Sequence, residues 1–202
     1  MSPRLLVAST NQGKLTEIRT ILGNLGIEII NLAAFPQIDV SVIEETGTTF
    51  SENAALKAKH YASITQLPTI AEDSGLIITA LNGEPGLQSA RWFPGSDEAR
   101  SQAILSRMKT ISNRSAFFHC SVCLYHPLTQ VKQIFDGEVE GAIAQESRGE
   151  DGFGYDPIFI PNGYSESFAE LGISVKNSLS HRHKALELVK VYLQNHSEFL
   201  SL

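Results

Sequence analysis

The sequence predicts an α/β fold with a mixed β-sheet. In the first half of the chain, short apolar segments alternate with segments whose apolar residues recur every three or four positions. Two strand-like segments in direct succession follow in the second half, joined by the turn H-P-L-T-Q. Alternating strands and helices favour parallel pairing, whereas a hairpin is antiparallel, so we expect a sheet with both kinds of pairing.

The N-terminal elements are predicted as a strand, a helix and a second strand. Residues 5–8 and 27–30 are two short apolar runs that fit strands. Between them, regularly spaced apolar positions share one helical face, and Gly26 marks the end of that helix. These positions are Leu15, Ile18, Leu22 and Leu25. The periodicity therefore indicates a helix with one face turned to the core.

A second helix is predicted from Thr49 to about Ile64. Its apolar face consists of Phe50, Ala54, Ala58 and Tyr61. Thr49 and Glu52 have the spacing of a capping box, in which both side chains bind backbone N–H groups at the helix start. We therefore interpret Glu52 as a helix-start residue. Lys57 and Lys59 are interpreted as part of a solvated helix face.

The remaining chain predicts further strands, a long hairpin and two more helices. The predicted helices begin after Ser96 and at Ser180. The predicted strands are residues 69–71, 76–81, 114–125, 131–139 and 155–160. Cys120 and Cys123 lie three positions apart in one predicted strand, so their side chains are expected on opposite faces. We therefore expect neither a shared zinc site nor a redox pair there.

Composition and charge exclude several classes of protein. The chain has 202 residues, of which 42% are hydrophobic and 19% charged, so we expect a single domain spanning residues 1–202 without a separable linker. Sixteen basic against 22 acidic residues give a formal charge of −6. This balance argues against a broad basic surface for nucleic acid or for a membrane. With neither a signal-peptide core nor a run of about 20 apolar residues, a cytoplasmic protein is expected.

The segment S-T-N-Q-G-K, residues 9–14, lies between the first predicted strand and the first predicted helix. Unpaired N–H groups at a helix start, together with the charge of Lys14, would attract an anion. The alternative is an ordinary turn in which Thr10 or Asn11 caps the helix. The segment is not a Walker loop, because Leu15 stands where that motif needs a serine or threonine.

Two acidic segments are candidates for metal binding and catalysis. Glu44 and Glu45 precede the second helix, and Glu72 and Asp73 lie between two apolar segments. Adjacent carboxylates at strand ends are costly to bury unless they hold a metal or a proton. Glu44 or Glu45 together with Asp73 would suit Mg²⁺, which usually keeps several waters and also binds substrate phosphates. The alternative for D-S-G is a simple turn.

Two later segments carry side chains suited to binding a ligand. In D-G-F-G-Y-D-P, residues 151–157, two glycines permit tight curvature around Phe153, whose ring would be able to stack on a base. The alternative is a glycine-rich turn with Phe153 and Tyr155 buried. The segment K-N-S-L-S-H-R, residues 176–182, carries three cation-capable side chains that suit an anionic or carbonyl-bearing ligand. Its alternative is an exposed loop.

These segments, in this order, resemble the inosine triphosphate pyrophosphatase family. The matching blocks span nearly the whole chain, and their joint order carries the resemblance because each block alone is short. They are A-S-T-N-Q-G-K, E-E-T-G-T-T-F-S-E-N-A, E-D-S-G-L, L-N-G-E-P-G-L-Q-S-A-R, F-H-C, D-G-F-G-Y-D-P-I-F and S-H-R. One departure is Glu72, which stands where many relatives have aspartate and keeps the carboxylate.

The resemblance implies a fold, a reaction and a set of site residues. The fold would be an elongated mixed sheet flanked by helices, with two lobes and a cleft, in a homodimer. The reaction would be Mg²⁺-dependent hydrolysis of ITP, dITP and XTP to the monophosphate and pyrophosphate, which cleanses the nucleotide pool. Asp73 would be the proton acceptor and would hold Mg²⁺ together with Glu44 or Glu45. The substrate-binding residues would be Ser9, Thr10, Asn11, Gln12, Gly13, Lys14, Ser74, Phe153, Gly154, Tyr155, Asp156, Lys176, His181 and Arg182.

The implied base preference has a physical basis. Hypoxanthine and xanthine carry a carbonyl at position 6, where adenine carries an amino group. Donors such as Arg182 and a protonated His181 would favour that carbonyl and leave the amino group of adenine facing another donor. Guanine shares the carbonyl, so these residues do not explain rejection of GTP. Two other functions stay open from the sequence: a nucleotide pyrophosphatase of different base preference, and a non-catalytic nucleotide-binding protein.

Overall fold

The structure, a computed structural model, describes residues 2–39 and 43–200. The sheet in this part of the chain has six strands: β1 (Arg4–Val7), β2 (Glu28–Asn31), β3 (Thr69–Ile78), β4 (Ser115–Tyr125), β5 (Lys132–Ile143) and β6 (Phe159–Pro161). The α-helices of the same residues are α1 (Gln12–Leu22), α2 (Phe50–Thr65), α3 (Asp97–Arg107), α4 (Phe168–Leu179) and α5 (His181–Asn195).

The sheet is mixed, as predicted. Its strand order is β2-β1-β3-β4-β5-β6. β1 runs parallel to β2 and to β3, with Leu6 opposite Ile30 on one side and Thr69 on the other. β5 runs antiparallel to β6, with Ala142 opposite Ile160. The α/β class with a mixed sheet flanked by helices is therefore confirmed.

Side-chain caps fix the helix starts at the positions that the sequence indicates. Asn11 Oδ1 accepts the backbone N–H of Lys14 at 3.1 Å at the start of α1. Thr49 Oγ1 accepts the backbone N–H of Glu52 at 3.1 Å, and Glu52 Oε2 accepts that of Thr48 at 2.7 Å. Such caps pair N–H groups that the helix itself leaves unpaired, and each stabilises the fold by about 1 kcal/mol. The prediction that Glu52 serves the helix start is confirmed.

β3 is one strand where the sequence predicts two. It continues through Glu72 and Asp73, so the alternative of a D-S-G turn is also wrong. Two charged side chains in the middle of an apolar strand ordinarily indicate a break, because an unpaired buried charge is costly. Here the strand continues because both carboxylates have cationic partners on other elements.

Two further differences concern the last third of the chain. The strand predicted at residues 155–160 is wrong in extent, since Asp156–Ile158 form a 3₁₀ turn and β6 covers only Phe159–Pro161. Helix α4 has no counterpart among the predicted elements. Gly172, with φ of 77°, interrupts its helical geometry and its apolar periodicity. Lys176 therefore lies in a helix instead of a loop.

The chain divides into two compact units. The first contains Met1–Asp73, Cys120–Asp136 and Arg182–Leu202. The second contains Ser74–His119 and Gly137–His181. Among the helices in the described part of the chain, none combines the length and the apolarity needed to cross a bilayer.

The core of the first unit lies on both faces of its strands. Because side chains alternate along a strand, Leu5 and Val7 of β1 pack with α1 and α5, whereas Leu6 and Ala8 pack with α2. The second unit has its own cluster of buried apolar side chains. Its aromatic centre is formed by Phe118, Phe159 and Phe168. Each unit therefore supports its functional side chains with a separate core.

His126, at the turn between β4 and β5, is a buried polar residue of the first unit. Its Nδ1 accepts the backbone N–H groups of Leu128 and Thr129 at 3.3 and 3.2 Å, so the neutral ring carries its proton on Nε2. The ring also meets Phe199 edge-on at 5.6 Å between centroids. Burial lowers the pKa of His126, because the charged form loses its hydration.

The variant His126→Asn keeps an acceptor for the turn and removes the titratable ring. As pH falls from about 7.5 to 5, the unfolded wild-type chain binds a proton near the ordinary histidine pKa of about 6.5, which the folded state resists. The wild type should therefore lose free energy of unfolding relative to the variant over this range. Urea unfolding at several pH values measures the difference. Parallel pH profiles of the two proteins would contradict the prediction.

Candidate active site

The first unit brings carboxylates and cations together around β3. The strand contributes Glu72 and Asp73, 3% and 7% exposed. Helix α1 supplies Lys14, α2 supplies Lys57, and α5 supplies Arg182 from its first turn. Side-chain alternation on β3 turns Glu72 towards α1 and α5 and Asp73 towards α2. Two neighbouring carboxylates therefore have different partners.

Asp73 has two partners, both on α2. Asn53 Nδ2 donates to its Oδ2 at 3.1 Å, and Lys57 Nζ donates to its Oδ1 at 3.3 Å. Burial raises the pKa of Asp73; the ammonium of Lys57 opposes this rise and the carboxylate of Glu45 adds to it, so the net shift is upward. Asp73 is thus a carboxylate with increased basicity in a sheltered position.

Lys57 joins Asp73 to Glu45. Its Nζ lies 2.6 Å from Glu45 Oε1 as well as 3.3 Å from Asp73 Oδ1, and its side chain is 15% exposed. Burial disfavours the charged ammonium, but the two carboxylates outweigh this effect and raise the pKa of Lys57. The interpretation of Lys57 as a solvated residue is therefore wrong, whereas Lys59 is exposed as expected.

The structure distinguishes the two adjacent glutamates before α2. Glu44 is exposed, whereas Glu45 is half-buried and paired with Lys57. Among the described residues, no three His, Cys, Asp or Glu side chains gather at one point that would hold a metal. Of the three predicted metal ligands Glu44, Glu45 and Asp73, the structure therefore brings together Glu45 and Asp73, which share the ammonium of Lys57.

Glu72 is the centre of a buried ionic network. Its Oε2 accepts from Arg182 Nε at 2.8 Å and from the Cys120 thiol at 2.9 Å, and its Oε1 lies 2.8 Å from Lys14 Nζ. Arg182 Nη1 also donates to Glu17 of α1 at 2.7 Å. Burial alone would raise the pKa of Glu72, but the charges of Arg182 and Lys14 hold it well below the usual value. Arg182 and Lys14 therefore stabilise the charged form of Glu72.

The two cysteines are structural. Both are buried and free, Cys120 in the cluster that contains α1 and α5 and Cys123 in the cluster that contains α2. The predicted placement on opposite faces is confirmed. Burial and the charge of Glu72 raise the pKa of Cys120 well above the usual value, and burial raises that of Cys123 to about 12. Neutral thiols of this kind are poor nucleophiles.

The loop between β1 and α1 presents polar groups to solvent. Its backbone is ordered by the Asn11 N–H, which donates to Ser9 Oγ at 3.2 Å, and by the N-cap described above. Thr10, Asn11 and Gln12 are exposed. Lys14 follows in the first turn and directs its ammonium to Glu72. The predicted segment is thus an accessible helix start with one cation attached.

In the second unit, a lysine, an aromatic ring and a carboxylate form a compact cluster. Lys176 Nζ lies 4.0 Å from the centroid of the Phe153 ring and donates to Asp156 Oδ2 at 2.6 Å. Asp156 Oδ2 also accepts the backbone N–H of Phe153 at 2.8 Å. Gly152, with φ of 86°, brings the chain so close that a Cβ there would lie 2.2 Å from this carboxylate. The glycine therefore permits the turn that presents Phe153.

The remaining predicted residues of the second unit differ in exposure. Tyr155 is buried, and its hydroxyl donates to the carbonyl of Ser89 at 2.8 Å, so its ring belongs to the core. His181 is 5% exposed and stacks on Phe118 at 4.8 Å between centroids. Ser74 is half-buried on β3. The alternative of a glycine-rich turn with both rings buried therefore holds for Tyr155, whereas Phe153 is half-buried.

Sequence reasoning misses three side chains that the structure adds to the network of the first unit. Asn53 and Lys57 stand four positions apart on α2, so they share one helical face and reach Asp73 together. Glu17, 7% exposed, binds Arg182 from α1. The four-residue spacing on α2 is the one signal in the sequence that places Asn53 and Lys57 on a common face.

Comparison with known proteins establishes the family. The sequence model described as the Ham1 family matches residues 5–192. Because this match covers most of the chain, the chain belongs to the Ham1 family.

Curated relatives and solved structures are similar over almost their full lengths. A dITP/XTP pyrophosphatase from Symbiobacterium thermophilum is 44% identical over 185 residues, 91% of each chain. One from Geobacter sulfurreducens is 43% identical over 194 residues, 94% of this chain and 96% of its own. The structure of a HAM1 protein from Coxiella burnetii has a TM-score of 0.87 and 42% identity, and the match covers 96% of this chain and all of that one.

The network around Glu72 predicts a large effect of Arg182→Met. The change leaves Glu72 and Glu17 buried without their shared cation, and breaking a buried ion pair typically costs about 3–5 kcal/mol. We expect a loss of that size in the free energy of unfolding by urea at pH 7.5. Adding Glu72→Gln and Glu17→Gln to the variant should recover part of the loss, because neither buried side chain then carries a negative charge that Arg182 no longer compensates.

A matched control is Arg107→Met, which removes an arginine from the exposed pair with Glu84. Exposed ion pairs contribute about 0–1 kcal/mol, so this variant should stay close to the wild type. Equal losses for Arg182→Met and Arg107→Met would contradict the assignment of Arg182 as a buried counter-ion.

Proposed function

We propose that this chain hydrolyses the non-standard purine nucleoside triphosphates ITP, dITP and XTP to the monophosphate and pyrophosphate. The observation that carries the proposal is the pair of carboxylates Glu45 and Asp73, which share the ammonium of Lys57. Glu72, the residue before Asp73, pairs with Lys14. Relatives above 40% identity that bear the name dITP/XTP pyrophosphatase support the substrate class. Removal of these nucleotides would keep deaminated purines away from polymerases.

The carboxylate pair fits Mg²⁺. Carboxylate oxygens are the ligands that Mg²⁺ prefers, and it commonly binds through one or two carboxylates together with waters and substrate phosphates. The ammonium of Lys57 between Glu45 and Asp73 indicates that a cation is favoured there. We choose Glu45 over Glu44 as the second ligand because Glu44 is exposed. When bound, the metal would supply positive charge that offsets the charge of the departing pyrophosphate.

Asp73 is proposed as the proton acceptor. The oxygen of a water attacks the α-phosphorus, the bond from that phosphorus to the bridging oxygen of the β-phosphate breaks, and pyrophosphate leaves with the bonding electrons. One proton of the water passes to the buried carboxylate of Asp73, and the other stays with the monophosphate. Asn53 holds the other oxygen of Asp73 and fixes its orientation. Lys14 and the N–H groups at the start of α1 bind the phosphates.

In the second unit, Phe153, Lys176 and His181 are proposed as residues that bind the base. In the first unit, Arg182 is proposed as a donor to its carbonyl. Phe153 offers an aromatic surface for stacking, and Asp156 orients both it and Lys176. The guanidinium of Arg182 is fixed by Glu72 and Glu17, and a fixed donor discriminates a carbonyl from an amino group.

Two wider properties belong to the same proposal. The chain is proposed to act as a homodimer, which the resemblance to the inosine triphosphate pyrophosphatase family implies, and in the cytoplasm, as the sequence leads us to expect. Sedimentation equilibrium of the purified chain tests the dimer, and a purely monomeric species would contradict it. Cell fractionation tests the compartment, and recovery outside the cytoplasmic fraction would contradict it.

The direct test is an assay of the purified chain with Mg²⁺ against ITP, dITP, XTP and the four standard nucleotides. We expect pyrophosphate as the product and a clear preference for the three non-standard substrates. Orthophosphate as the only product would contradict the reaction. Equal rates with ATP and ITP would contradict the base preference and leave a pyrophosphatase of another specificity.

The variant Asp73→Asn keeps the shape of the side chain and removes the proton acceptor. Since general-base catalysis contributes about 10²- to 10⁴-fold, turnover of ITP should fall by that order while the unfolding transition stays cooperative. The control Glu98→Gln changes an exposed carboxylate at the start of α3 and should leave the rate unchanged. Near-normal turnover in Asp73→Asn would remove this residue from the proposed mechanism.

The variant Phe153→Leu tests the stacking surface. It keeps apolar volume and removes the ring, and base–aromatic stacking contributes about 1–3 kcal/mol, so KM for ITP should rise by about ten-fold with a smaller change in kcat. The control is Phe93→Leu, an exposed phenylalanine of the same unit. An unchanged KM for ITP in Phe153→Leu would exclude this ring from the binding of the base.

A further inference from the structure

We propose that Lys57 is an internal counter-cation of the metal site, which holds Glu45 and Asp73 in the metal-free protein and is displaced when a divalent cation binds. The displaced ammonium then binds the triphosphate, so that metal binding and substrate binding reinforce each other. This inference rests on the proposed function, because it takes Glu45 and Asp73 as the metal ligands.

The first step of the argument is that Lys57 uses the oxygens that a metal would need. Its Nζ lies 2.6 Å from Glu45 Oε1 and 3.3 Å from Asp73 Oδ1. All three side chains are sheltered, with exposed fractions of 15% for Lys57, 20% for Glu45 and 10% for Asp73. A metal ion bound to the same oxygens at about 2.1 Å would be separated from the ammonium by one carboxylate oxygen only. Like charges at that separation repel strongly, so both cations cannot stay.

The second step is that the carboxylates keep their places when Lys57 leaves. Asn53 Nδ2 donates to Oδ2 of Asp73 at 3.1 Å, on the oxygen that Lys57 does not use. Asn53 Oδ1 in turn accepts the backbone N–H of Gly47 at 2.8 Å, which anchors the loop that carries Glu45. Asn53 is 1% exposed and lies inside a 16-residue helix. One amide therefore ties both ligand segments together independently of the lysine.

The third step concerns where the ammonium goes. Lysine carries its charge on a flexible four-carbon stem, so Nζ can shift by several ångströms while α2 stays fixed. A triphosphate bound through the metal would place anionic oxygens next to the carboxylates that the lysine has left. The metal alone has to expel Lys57 into a less favourable position, whereas the metal with a triphosphate gives it a new partner. Weak binding of the metal alone and tight joint binding follow.

The experiment measures Mn²⁺ binding to the full chain by calorimetry, alone and with an ITP analogue whose α–β bridging oxygen is replaced by methylene. We compare the wild type with Lys57→Met, which keeps the length of the side chain and removes the charge. If Lys57 occupies the carboxylates about nine-tenths of the time, Lys57→Met should bind Mn²⁺ alone about ten-fold more tightly. The analogue should then strengthen Mn²⁺ binding far less in the variant than in the wild type.

Lys59→Met is the matched control, two positions along the same helix on an exposed residue, and it should bind Mn²⁺ as the wild type does. If Lys57→Met binds Mn²⁺ alone with wild-type or weaker affinity, the inference is overturned. Mn²⁺ binding to the wild type, read together with its hydrolysis of ITP, separates this inference from the proposed function. An enzyme that hydrolyses ITP but shows no gain in Lys57→Met refutes only the counter-cation, whereas absence of both Mn²⁺ binding and hydrolysis refutes the proposed function.

A second measurement needs no variant. Lysines of the folded wild-type chain are methylated with formaldehyde and borohydride, with and without Mg²⁺, and quantified by mass spectrometry. Displacement by Mg²⁺ should raise the labelling of Lys57 several-fold and leave Lys59 unchanged. Equal labelling of Lys57 in both conditions, at Mg²⁺ concentrations that saturate the nucleotide-free site, would overturn the inference even if Lys57→Met fails to fold.

Discussion

Charge compensation for two adjacent carboxylates inside β3 is the constraint on which the first unit depends. Alternation along the strand turns Glu72 towards α1 and α5 and Asp73 towards α2. Each face brings its own cations, Lys14 and Arg182 on one side and Lys57 on the other. Because all three cations stand on helices and none on β3, the carboxylates can be buried only after these helices have packed. The core and the candidate site therefore depend on the same packed helices.

The two carboxylates are neighbours in the chain and differ in electrostatic character. Glu72 touches two cations and a thiol, and its pKa is held well below the usual value despite burial. Asp73 has one lysine and one neutral amide, and burial together with Glu45 raises its pKa. Environments that push two carboxyl pKa values apart are a recurrent way to assign different roles to like groups. Glu72 is a fixed charge that orients cations, and Asp73 is the group suited to accept a proton.

Local signals in the sequence were sufficient for local structure and insufficient for charge partners. The helix starts at Asn11 and Thr49 follow from side chains that bind N–H groups three positions away, so the sequence predicts them correctly. Glu72 and Arg182 are 110 positions apart, and no spacing rule pairs them. Because the sequence does not reveal this pairing, it predicts a break in β3 at Glu72 and Asp73. Lys57 fits a solvated helix face by spacing alone, and Asp73 on β3 is what turns it inward.

The contact between Glu72 and Arg182 has a consequence for synthesis of the chain. Arg182 lies 110 positions after Glu72, in the first turn of the last α-helix of the described chain. A nascent chain that has not yet exposed this helix holds Glu72 without its main counter-charge, and an uncompensated carboxylate resists burial. A product truncated before α5 therefore lacks the arginine that compensates the buried charge of Glu72. The network around Glu72 therefore forms only after α5 has left the ribosome.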